Sequence, residues 1–222
     1  MSEPLVLSWS GGKDSAWALT ALRADPTVEV VGLVATVAEP FDRIAMHGVR
    51  RELAQAQARA AGLALELVPL PHPCPNETYE RAMRDWAARA RAQGVRAVAF
   101  GDLFLADVRA YRERLFAGTG LAPRFPLWGR DTAALAREMI GQGLRAILAC
   151  VDPRRVPADW AGRSYDAALL AELPAGVDPC AENGEFHTFA YAGPMYEGEI
   201  AVRVAGTVVR DGFVYAELLP AS

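Results

Sequence analysis

The sequence is poor in several features that mark common classes of protein. Its three cysteines are widely spaced and form no C-x-x-C pair, which argues against a zinc site or a sulfur relay and predicts reduced thiols. No apolar run approaches the roughly 20 residues of a membrane span, and no basic stretch leads into an apolar one at the N-terminus, so we expect a cytoplasmic protein without a membrane partner. The net charge of −4 and the pI of about 5.5 lack the basic surplus of nucleic-acid binders, which argues against nucleic acid as a partner.

Lysine is almost missing, since Lys13 is the only one and the other basic side chains are arginine, histidine aside. It stands in Ser10-Gly-Gly-Lys-Asp-Ser15, directly after the apolar run 5–7 and before a segment with apolar residues at helical spacing. Paired glycines let a backbone approach a ligand closely, and Asp14 or Ser15 is expected to cap the helix. Backbone N–H groups then converge at a positive helix end beside a flexible point charge, which predicts an anion site for nucleotide phosphates.

Two well-known glycine loops do not fit this stretch. A P-loop needs a glycine five residues before Gly12, where Leu7 stands. It also needs Ser or Thr after Lys13, where Asp14 stands. The dinucleotide fingerprint G-x-G-x-x-G fails because no glycine recurs between Gly12 and Gly32. What remains resembles the SGGxDS loop of the PP-loop ATP pyrophosphatases.

Strands and helices alternate along the first half of the chain. The predicted strands are 5–7, 28–36, 63–67 and 95–100, and the predicted helices between them are 14–23, 49–61 and 77–93, the last capped by Asn76. The proline-rich stretch 69–75 is expected to be an irregular loop, since proline lacks a backbone donor. Alternation of this kind predicts an α/β fold with a doubly wound parallel sheet.

The second half has a looser pattern. Its predicted elements are helices at 106–117, 131–141 (opened by Asp131) and 164–173 (capped by Ser164), strands at 145–151 and 186–191, and a β-hairpin of 200–209 and 213–218. We therefore expect an ATP-binding domain at 1–125 and a smaller C-terminal α+β part at 126–222 that binds the substrate.

The ligand of a doubly wound sheet lies beyond the carboxyl ends of its strands. The glycine loop, the Thr36 region and Gly101-Asp102 fall there and are expected to converge on one crevice. Asp102 is a candidate for magnesium or ribose contact, or equally for the cap of the helix that follows. On that helix Tyr111 and Arg114 are expected on adjacent turns within reach of the crevice.

The segment 182–188, Glu-Asn-Gly-Glu-Phe-His-Thr, allows two interpretations. In one, the Asn-Gly pair forms a turn whose solvated flanks are Glu182 and Glu185. In the other, the two carboxylates enter the crevice as ligands of a metal or an amine, and the asparagine holds substrate. His187, like His47, is a candidate for phosphate or substrate contact, or a hydrogen-bonded structural histidine.

Five motifs together resemble the diphthine-ammonia ligase family of the PP-loop superfamily. They are Ser10–Ser15, Met46-His47-Gly48, Gly101-Asp102, Pro126-Leu127-Trp128 with Glu138-Met139-Ile140, and Glu182–Thr188. They follow the family's order over nearly the whole chain, and the last motif is the most discriminating. Residues 104–114 resemble the bacterial branch of the family, and arginine in place of lysine suggests a GC-rich genome.

The resemblance implies a Rossmann-like HUP/PP-loop fold and an ATP-dependent ligase. With Mg²⁺, such an enzyme cleaves ATP between the α and β phosphates, transfers AMP to a carboxylate on a protein or small molecule, and lets ammonia displace AMP to form an amide. The two glutamates would attract ammonium and accept its proton. Combining the resemblance with the positions above, we assign Lys13, Asp102, Glu182 and Glu185 to catalysis; Ser10, Gly11, Gly12, Lys13, Asp14, Ser15, Thr36, His47 and Gly101 to ATP; Tyr111, Arg114, Asn183, Gly184 and His187 to substrate; and Asp14 and Asp102 to the metal.

Two other functions compete with this assignment. One is a PP-loop pyrophosphatase that modifies tRNA or another small molecule, although the acidic pI and the lack of paired cysteines count against tRNA. The other is a nucleotide-binding sensor without turnover, against which the complete SGGKDS loop favours pyrophosphate chemistry. A homo-oligomer is left open.

Overall fold

The computed structural model describes residues 2–45 and 47–221. The strands are β1 Glu3–Ser8, β2 Val28–Ala38, β3 Arg43–Ile44, β4 Leu65–Leu70, β5 Ala97–Ala99, β6 Ala122–Arg124, β7 Arg145–Val151, β8 Ser164–Tyr165, β9 Phe186–Ala192, β10 Val202–Arg210 and β11 Phe213–Pro220. The α-helices are α1 Lys13–Ala24, α2 Arg51–Ala60, α3 Asn76–Ala92, α4 Ala106–Phe116, α5 Thr132–Gly141 and α6 Ala167–Glu172. Short 3₁₀ helices occupy Glu39–Phe41 and Ala158–Trp160.

The first sheet is parallel apart from one short strand. Its parallel strands lie in the order β4-β2-β1-β5-β6, and β3 pairs antiparallel with the end of β2. Helices α1 and α2 pack on one face of the sheet, and α3 and α4 on the other. The predicted doubly wound α/β fold is confirmed. Because the winding reverses between β1 and β5, a crevice opens at the carboxyl ends of these two strands.

The second sheet is antiparallel and is built around β7. Strands β8, β9 and β11 all pair with β7, and β10 pairs with β11. The predicted hairpin is confirmed, and it turns at Asp211-Gly212 with φ values of +50° and +81°, as a two-residue hairpin turn requires. This sheet, with α5 and α6, forms the smaller C-terminal α+β part of the fold.

Helix α1 is the element that both sheets share. It packs against β1 and β2 on one side and against β9 on the other. Its buried positions are Lys13, Ser15, Ala16, Trp17, Ala18, Leu19 and Leu22. A helix covered on two sides has apolar residues nearly all round, which is why this segment lacks a wide polar face. The glycine loop that opens α1 is therefore enclosed between the two sheets.

Two predicted helix caps are wrong. The N-cap residue of α1 is Gly12, and no side chain caps the helix, so neither Asp14 nor Ser15 has that role. Helix α3 begins at Asn76 itself, after Pro75, again without a side-chain cap. In both cases an extended residue just upstream already occupies the capping position, which places the predicted cap inside the first turn.

The predicted N-terminal cap is confirmed for α5 and wrong for α6. Asp131 caps α5 as predicted, accepting a hydrogen bond from the backbone three residues on at 2.7 Å. The helix predicted from Ser164 begins three residues later, at Ala167, because Ser164 pairs with β7 as part of β8. Asp166 caps this helix instead, through the amide of Leu169 at 2.8 Å.

The third predicted strand is shifted along the chain. It was expected at 63–67 and a loop at 69–75, but β4 continues through Pro69 and Leu70, which pair with β2. Among the described strands β4 pairs with β2 alone, so it is an edge strand. A proline is tolerated there because its missing N–H faces no neighbouring strand.

The side-chain amide of Gln57 holds the glycine loop to β9. This side chain is fully buried. Its Nε2 donates to the backbone oxygens of Gly11 at 2.9 Å and Ala190 at 2.6 Å. Its Oε1 accepts from Trp9 Nε1 at 2.9 Å. Because an indole N–H only donates and carbonyl oxygens only accept, the amide has a single orientation.

We expect Gln57→Leu to lower the free energy of unfolding by about 2–4 kcal/mol, because a buried group left without its partner costs roughly 1–3 kcal/mol. Urea denaturation followed by circular dichroism measures this change. The matched control is Gln55→Leu on the exposed side of α2, which should stay within about 0.5 kcal/mol of the wild type. Equal stability of the two variants would contradict the assignment.

Candidate active site

A cavity with two connected chambers occupies the crevice between β1 and β5. The inner chamber, about 220 Å³, is lined by the glycine loop, the Gly101-Asp102 pair and the segment from Cys180 to Thr188. The outer chamber, about 640 Å³, lies over the ends of β2 and β4 and is bordered by α3 and α4. The residues that line both are Ser8, Ser10, His47, Val108, Arg112 and His187. One ligand can therefore extend from the inner chamber into the outer one.

The ammonium group of Lys13 is buried in the wall of the inner chamber. Its Nζ donates to Asp14 Oδ2 at 2.8 Å and to the backbone oxygen of Cys180. It also lies over the rings of Tyr165 and Phe186, 5.6 and 5.9 Å from their centroids. Burial opposes the charged form, but Asp14, with smaller contributions from Cys180 and Glu182, more than offsets this, so the pKa of Lys13 is raised and the ammonium keeps its proton.

The first turn of α1 leaves backbone donors at the inner chamber. The first amide that bonds within the helix is that of Ala16, which donates to Gly12 O at 3.0 Å. The amide of Lys13 donates instead to Thr188 Oγ1 at 2.9 Å. The two amides between them have no acceptor within the helix. They stand at the positive end of the helix, where an anion binds best.

Three glycines of the site stand where a side chain would be strained or tightly packed. Gly11 has a φ of +79°, in the left-handed region that favours glycine. A Cβ on Gly12 would lie 3.2 Å from His47 Cε1. A Cβ on Gly101 would lie 2.9 Å from the carbonyl carbon of Asp14, so the turn after β5 can touch the glycine loop only with glycine at this position.

Asp102 pairs with an arginine of α4. Arg112 Nε donates to Asp102 Oδ2 at 3.1 Å, and the guanidinium lies 4.3 Å from the centroid of the Phe100 ring. The N-cap residue of α4 is Leu105, with no side-chain cap, so the alternative role of Asp102 as a helix cap is wrong. Asp102 remains on the wall of the inner chamber.

The two glutamates of the late motif lie in different surroundings. Glu182 lines the inner chamber, accepts from Leu103 N at 2.7 Å, and has its pKa raised to about 7 by burial. Glu185 is fully buried away from the cavity, where its Oε1 accepts from Asp178 N at 3.1 Å and Asn183 Nδ2 at 3.2 Å. The structure therefore overturns the expectation of two carboxylates in one crevice. The alternative holds in part: a turn is present, closed by Gly184 N donating to Ala181 O at 3.1 Å, but its flanks are not both solvated, because Glu185 is fully buried.

His47 and His187 face each other at the boundary of the two chambers. Their ring centroids are 4.5 Å apart. Burial lowers the pKa of His187 to about 4, with a further contribution from Lys13. Burial also lowers the pKa of His47 well below 6.5, aided by His187, so both rings are neutral at pH 7. Met46, the neighbour of His47 in its motif, lies outside the described residues.

The predicted substrate residues are divided between the cavity and the surface. Gly184 lines the inner chamber, and Tyr111 lines the outer one together with Thr36. Arg114 is exposed and lines neither chamber, so its expected reach into the crevice is wrong. Two residues along a helix rotate the side chain by about 200°, which turns Arg114 away from the face that Arg112 occupies. Asn183 is also exposed, and its amide donates to Glu185 instead of entering the cavity.

The sequence analysis missed Arg112, Thr188 and Gln57. A polar residue within the apolar face of α2 was the available signal for Gln57. Arg112 lies four residues after Val108 on α4, so both side chains lie on the same face of the helix, and both line the two chambers. A helical projection of the sequence would have shown this shared face. Nothing in the local sequence indicates that Thr188 bonds the amide of Lys13, because the two are 175 residues apart.

Two features are absent from the part of the chain that the structure describes. In residues 2–45 and 47–221, no group of three or more His, Cys, Asp or Glu side chains could by itself hold a metal ion. Within the same ranges, none of the helices combines the length and apolar character needed to cross a membrane.

Comparison with known proteins matches the chain to one family in two consecutive parts. Residues 4–123 match the diphthamide synthase N-terminal domain, and residues 131–215 match the diphthamide synthase C-terminal domain. Over 118 residues the chain is 36% identical to the diphthine–ammonia ligase of Danio rerio, 29% to that of Rattus norvegicus and 30% to that of Homo sapiens. Each alignment covers 50% of this chain and 44–46% of the relative, so the chain spans about half the length of these relatives.

The doubly wound sheet, with a glycine loop after its first strand, is that of the Rossmann-like HUP class. Within that class, the chain belongs to the diphthamide synthase family, whose two domains it matches in order.

The neutral histidine pair predicts a loss of stability on mild acidification. Since the pKa of His187 is about 4 in the folded protein and near 6.5 when unfolded, the unfolded state takes up more protons as the pH falls from 6.5 to 4. We expect His187→Gln to remove on the order of 2 kcal/mol of this loss, at about 1.4 kcal/mol per pKa unit. Urea denaturation at pH 4.5, 5.5 and 7.5 measures it, and the exposed His72→Gln is the matched control. An unchanged pH dependence in His187→Gln would contradict the burial of a neutral ring.

Proposed function

We propose that this protein is an ATP-dependent ligase that adenylylates a carboxylate and converts it to an amide with ammonia. The observation that carries the proposal is that two groups line the same inner chamber: the SGGKDS loop at the start of α1, and Glu182. The names of the relatives, diphthine–ammonia ligase, describe the joining of ammonia to a substrate and support this reaction type.

ATP fits the two chambers when its phosphates lie at the glycine loop. The amides of the first turn of α1 that have no acceptor within the helix, and the dipole of that helix, would bind the phosphate oxygens. The outer chamber, with Val34, Thr36, Ile44 and Leu70 on its wall, is wide and largely apolar, as suits a nucleoside. His47 and Ser10 lie at the boundary, so we assign them to the junction between nucleoside and phosphates.

A magnesium ion would be held by Asp14, Asp102 and the phosphates together. Asp14 Oδ1 is buried and has no hydrogen-bond partner among the described residues, which is the state of a carboxylate oxygen that a cation would complete. Mg²⁺ in such sites takes one or two carboxylates plus phosphate oxygens, so a complete protein cage is not required. When bound, Mg²⁺ supplies charge neutralisation for the phosphates.

Lys13 stabilises the site from behind the loop. Its ammonium is fixed by Asp14 and Cys180, so it adds a permanent positive charge to the base of the inner chamber without having to be reoriented. In the proposed first step a carboxylate oxygen of the acceptor attacks the α-phosphorus and pyrophosphate leaves. The charge that develops on both groups is stabilised by the helix end and Lys13.

Glu182 is the residue we assign to ammonia. In the second step the nitrogen of ammonia attacks the acyl carbon, AMP leaves, and the nitrogen loses a proton. A carboxylate whose pKa is about 7 is well suited to accept this proton near neutral pH. Glu185 has no access to the cavity, so we assign it to holding the 178–185 segment in place.

The acceptor is proposed to be a carboxylate compound that enters beside Gly184, His187 and Tyr111. These residues come from both parts of the chain, Tyr111 from 1–125 and Gly184 and His187 from 126–222, and the assignment of ATP to the first part and substrate to the second stays a prediction. The cytoplasmic location stays a prediction, and a homo-oligomer stays open.

Product analysis tests the first step. After incubation with Mg-ATP, ammonium and a metabolite extract, we expect AMP and pyrophosphate, and their loss in Lys13→Met by about 100-fold or more, because a charge at the transition state is removed. Ion-exchange chromatography resolves AMP from ADP. Lys13→Arg retains the charge and checks folding, and the exposed Arg84→Met is the control. Formation of ADP would overturn the ligase assignment, and tight ATP binding without turnover would favour the sensor instead.

The pH dependence of amide formation tests the role of Glu182. With the concentration of free NH₃ held constant across the pH series, we expect the rate to rise through pH 7 as Glu182 loses its proton, and Glu182→Gln to be about 10²- to 10⁴-fold slower without this rise. Exchange of labelled pyrophosphate into ATP should continue in that variant, because it needs only the first step. Glu77→Gln, exposed on α3, is the matched control. A rate in Glu182→Gln equal to that of the wild type would remove the assignment.

A further inference from the structure

The imidazoles of His47 and His187 lie at the boundary of the two chambers with hydrogen-bonding capacity to spare. Nδ1 of His47 is buried and has no hydrogen-bond partner among the described residues. His187 is held neutral by burial and by the charge of Lys13, and no hydrogen bond from residues 2–45 or 47–221 contributes. Buried polar atoms nearly always have a partner, so we expect a ligand to supply one at this boundary.

Two cations act on the pair from the helices. Lys13, at the start of α1, lowers the pKa of both rings, and Arg112, on α4, lines the same boundary. Asp14 and Asp102, the carboxylates that follow the two glycine turns, are already paired with these two cations. A proton on either ring is therefore repelled by Lys13, and both rings are neutral in the ligand-free protein.

The antiparallel sheet presents neutral groups to the pair. Cys150 and Tyr215 lie in one cross-strand row with His187. Burial raises the pKa of the thiol to about 11 and that of the phenol to about 12, so neither carries a charge at pH 7. Glu182, on the wall of the inner chamber, titrates near pH 7. Its proton has to be distinguished from one on the rings by substitution.

An anion at the boundary would reverse the balance at the rings. Opposite charges about 4 Å apart in a partly buried site attract strongly, so an anion in contact with an imidazole raises its pKa and favours uptake of a proton. Residues 2–45 and 47–221 supply no group of three metal-ligating side chains, which argues against a metal at the pair. The outer chamber suits a nucleoside and the outer phosphates belong to the glycine loop, so the anion between them is the phosphate attached to the ribose.

We propose that His47 and His187 form the subsite for the phosphate attached to the ribose, and that one of the two rings takes up a proton when this phosphate binds. The choice of a nucleotide as ligand rests on the proposed function. Because the acceptor attacks this phosphorus in the proposed first step, the charged ring would stand beside the reacting group. AMP carries this phosphate alone, so the proton uptake can be measured with no reaction taking place.

Calorimetric titration with AMP at pH 7.0, without Mg²⁺ and in two buffers of different ionisation enthalpy, measures the protons taken up per AMP. We expect about 0.5–1 proton for the wild type and less than about 0.2 for the double variant His47→Gln/His187→Gln, because glutamine retains a donor but cannot be charged. The AMP affinity of the wild type should accordingly fall about 5- to 30-fold between pH 6.5 and 8.0. Glu182→Gln should keep the uptake, and the exposed His72→Gln is the matched control.

Adenosine, which lacks the phosphate, is the second probe. It should bind without proton uptake, and its affinity should change by less than about threefold in the double variant, which also verifies that the variant is folded. The proposal is overturned if AMP does not bind the wild type, if the double variant takes up as many protons as the wild type, or if the variant loses adenosine and AMP affinity equally. Turnover of ATP without proton uptake on AMP binding would overturn this subsite and leave the ligase assignment intact. Proton uptake without an amide product would do the reverse.

Discussion

The geometry of the site depends on one buried amide. Gln57 joins the glycine loop, the end of β1 and strand β9 through three hydrogen bonds that no water molecule can replace, since the side chain is fully buried. The direct bond from Ala190 N to Gly11 O, at 2.9 Å, reinforces this link. As a result, residues from the two family domains face each other across a chamber of fixed shape, and Thr188 meets the first amide of α1.

The fold was predictable wherever local sequence decides it. Alternating apolar segments and breakers identified the parallel sheet, and two adjacent strand patterns identified the last hairpin. The errors arose where pairing with a distant strand decides the local structure. Ser164 has the features of a helix cap but joins β7, and Pro69 lies in a strand because that strand is at an edge. Neither neighbour can be inferred from the adjacent residues.

The candidate site was predictable where its residues form one continuous segment of the sequence. The glycine loop is a continuous segment whose spacing reveals its chemistry, and so is Gly101-Asp102 at the end of β5. The late motif was harder, because a turn of two residues decides that Glu182 faces the cavity while Glu185 is buried. Arg112 escaped notice because its importance comes from Asp102, ten residues earlier, and from Phe100 beneath it.

The single buried lysine also determines how this protein reacts with reagents that modify amines. Every other side-chain cation, histidine aside, is a guanidinium, so the surface offers no side-chain amine to acylating or crosslinking reagents. The one ε-amine is enclosed between Asp14, Cys180 and two aromatic rings. Reagents for side-chain amines therefore do not label the protein while the crevice is closed. A label acquired at Lys13 reports openings in which the glycine loop separates from β9.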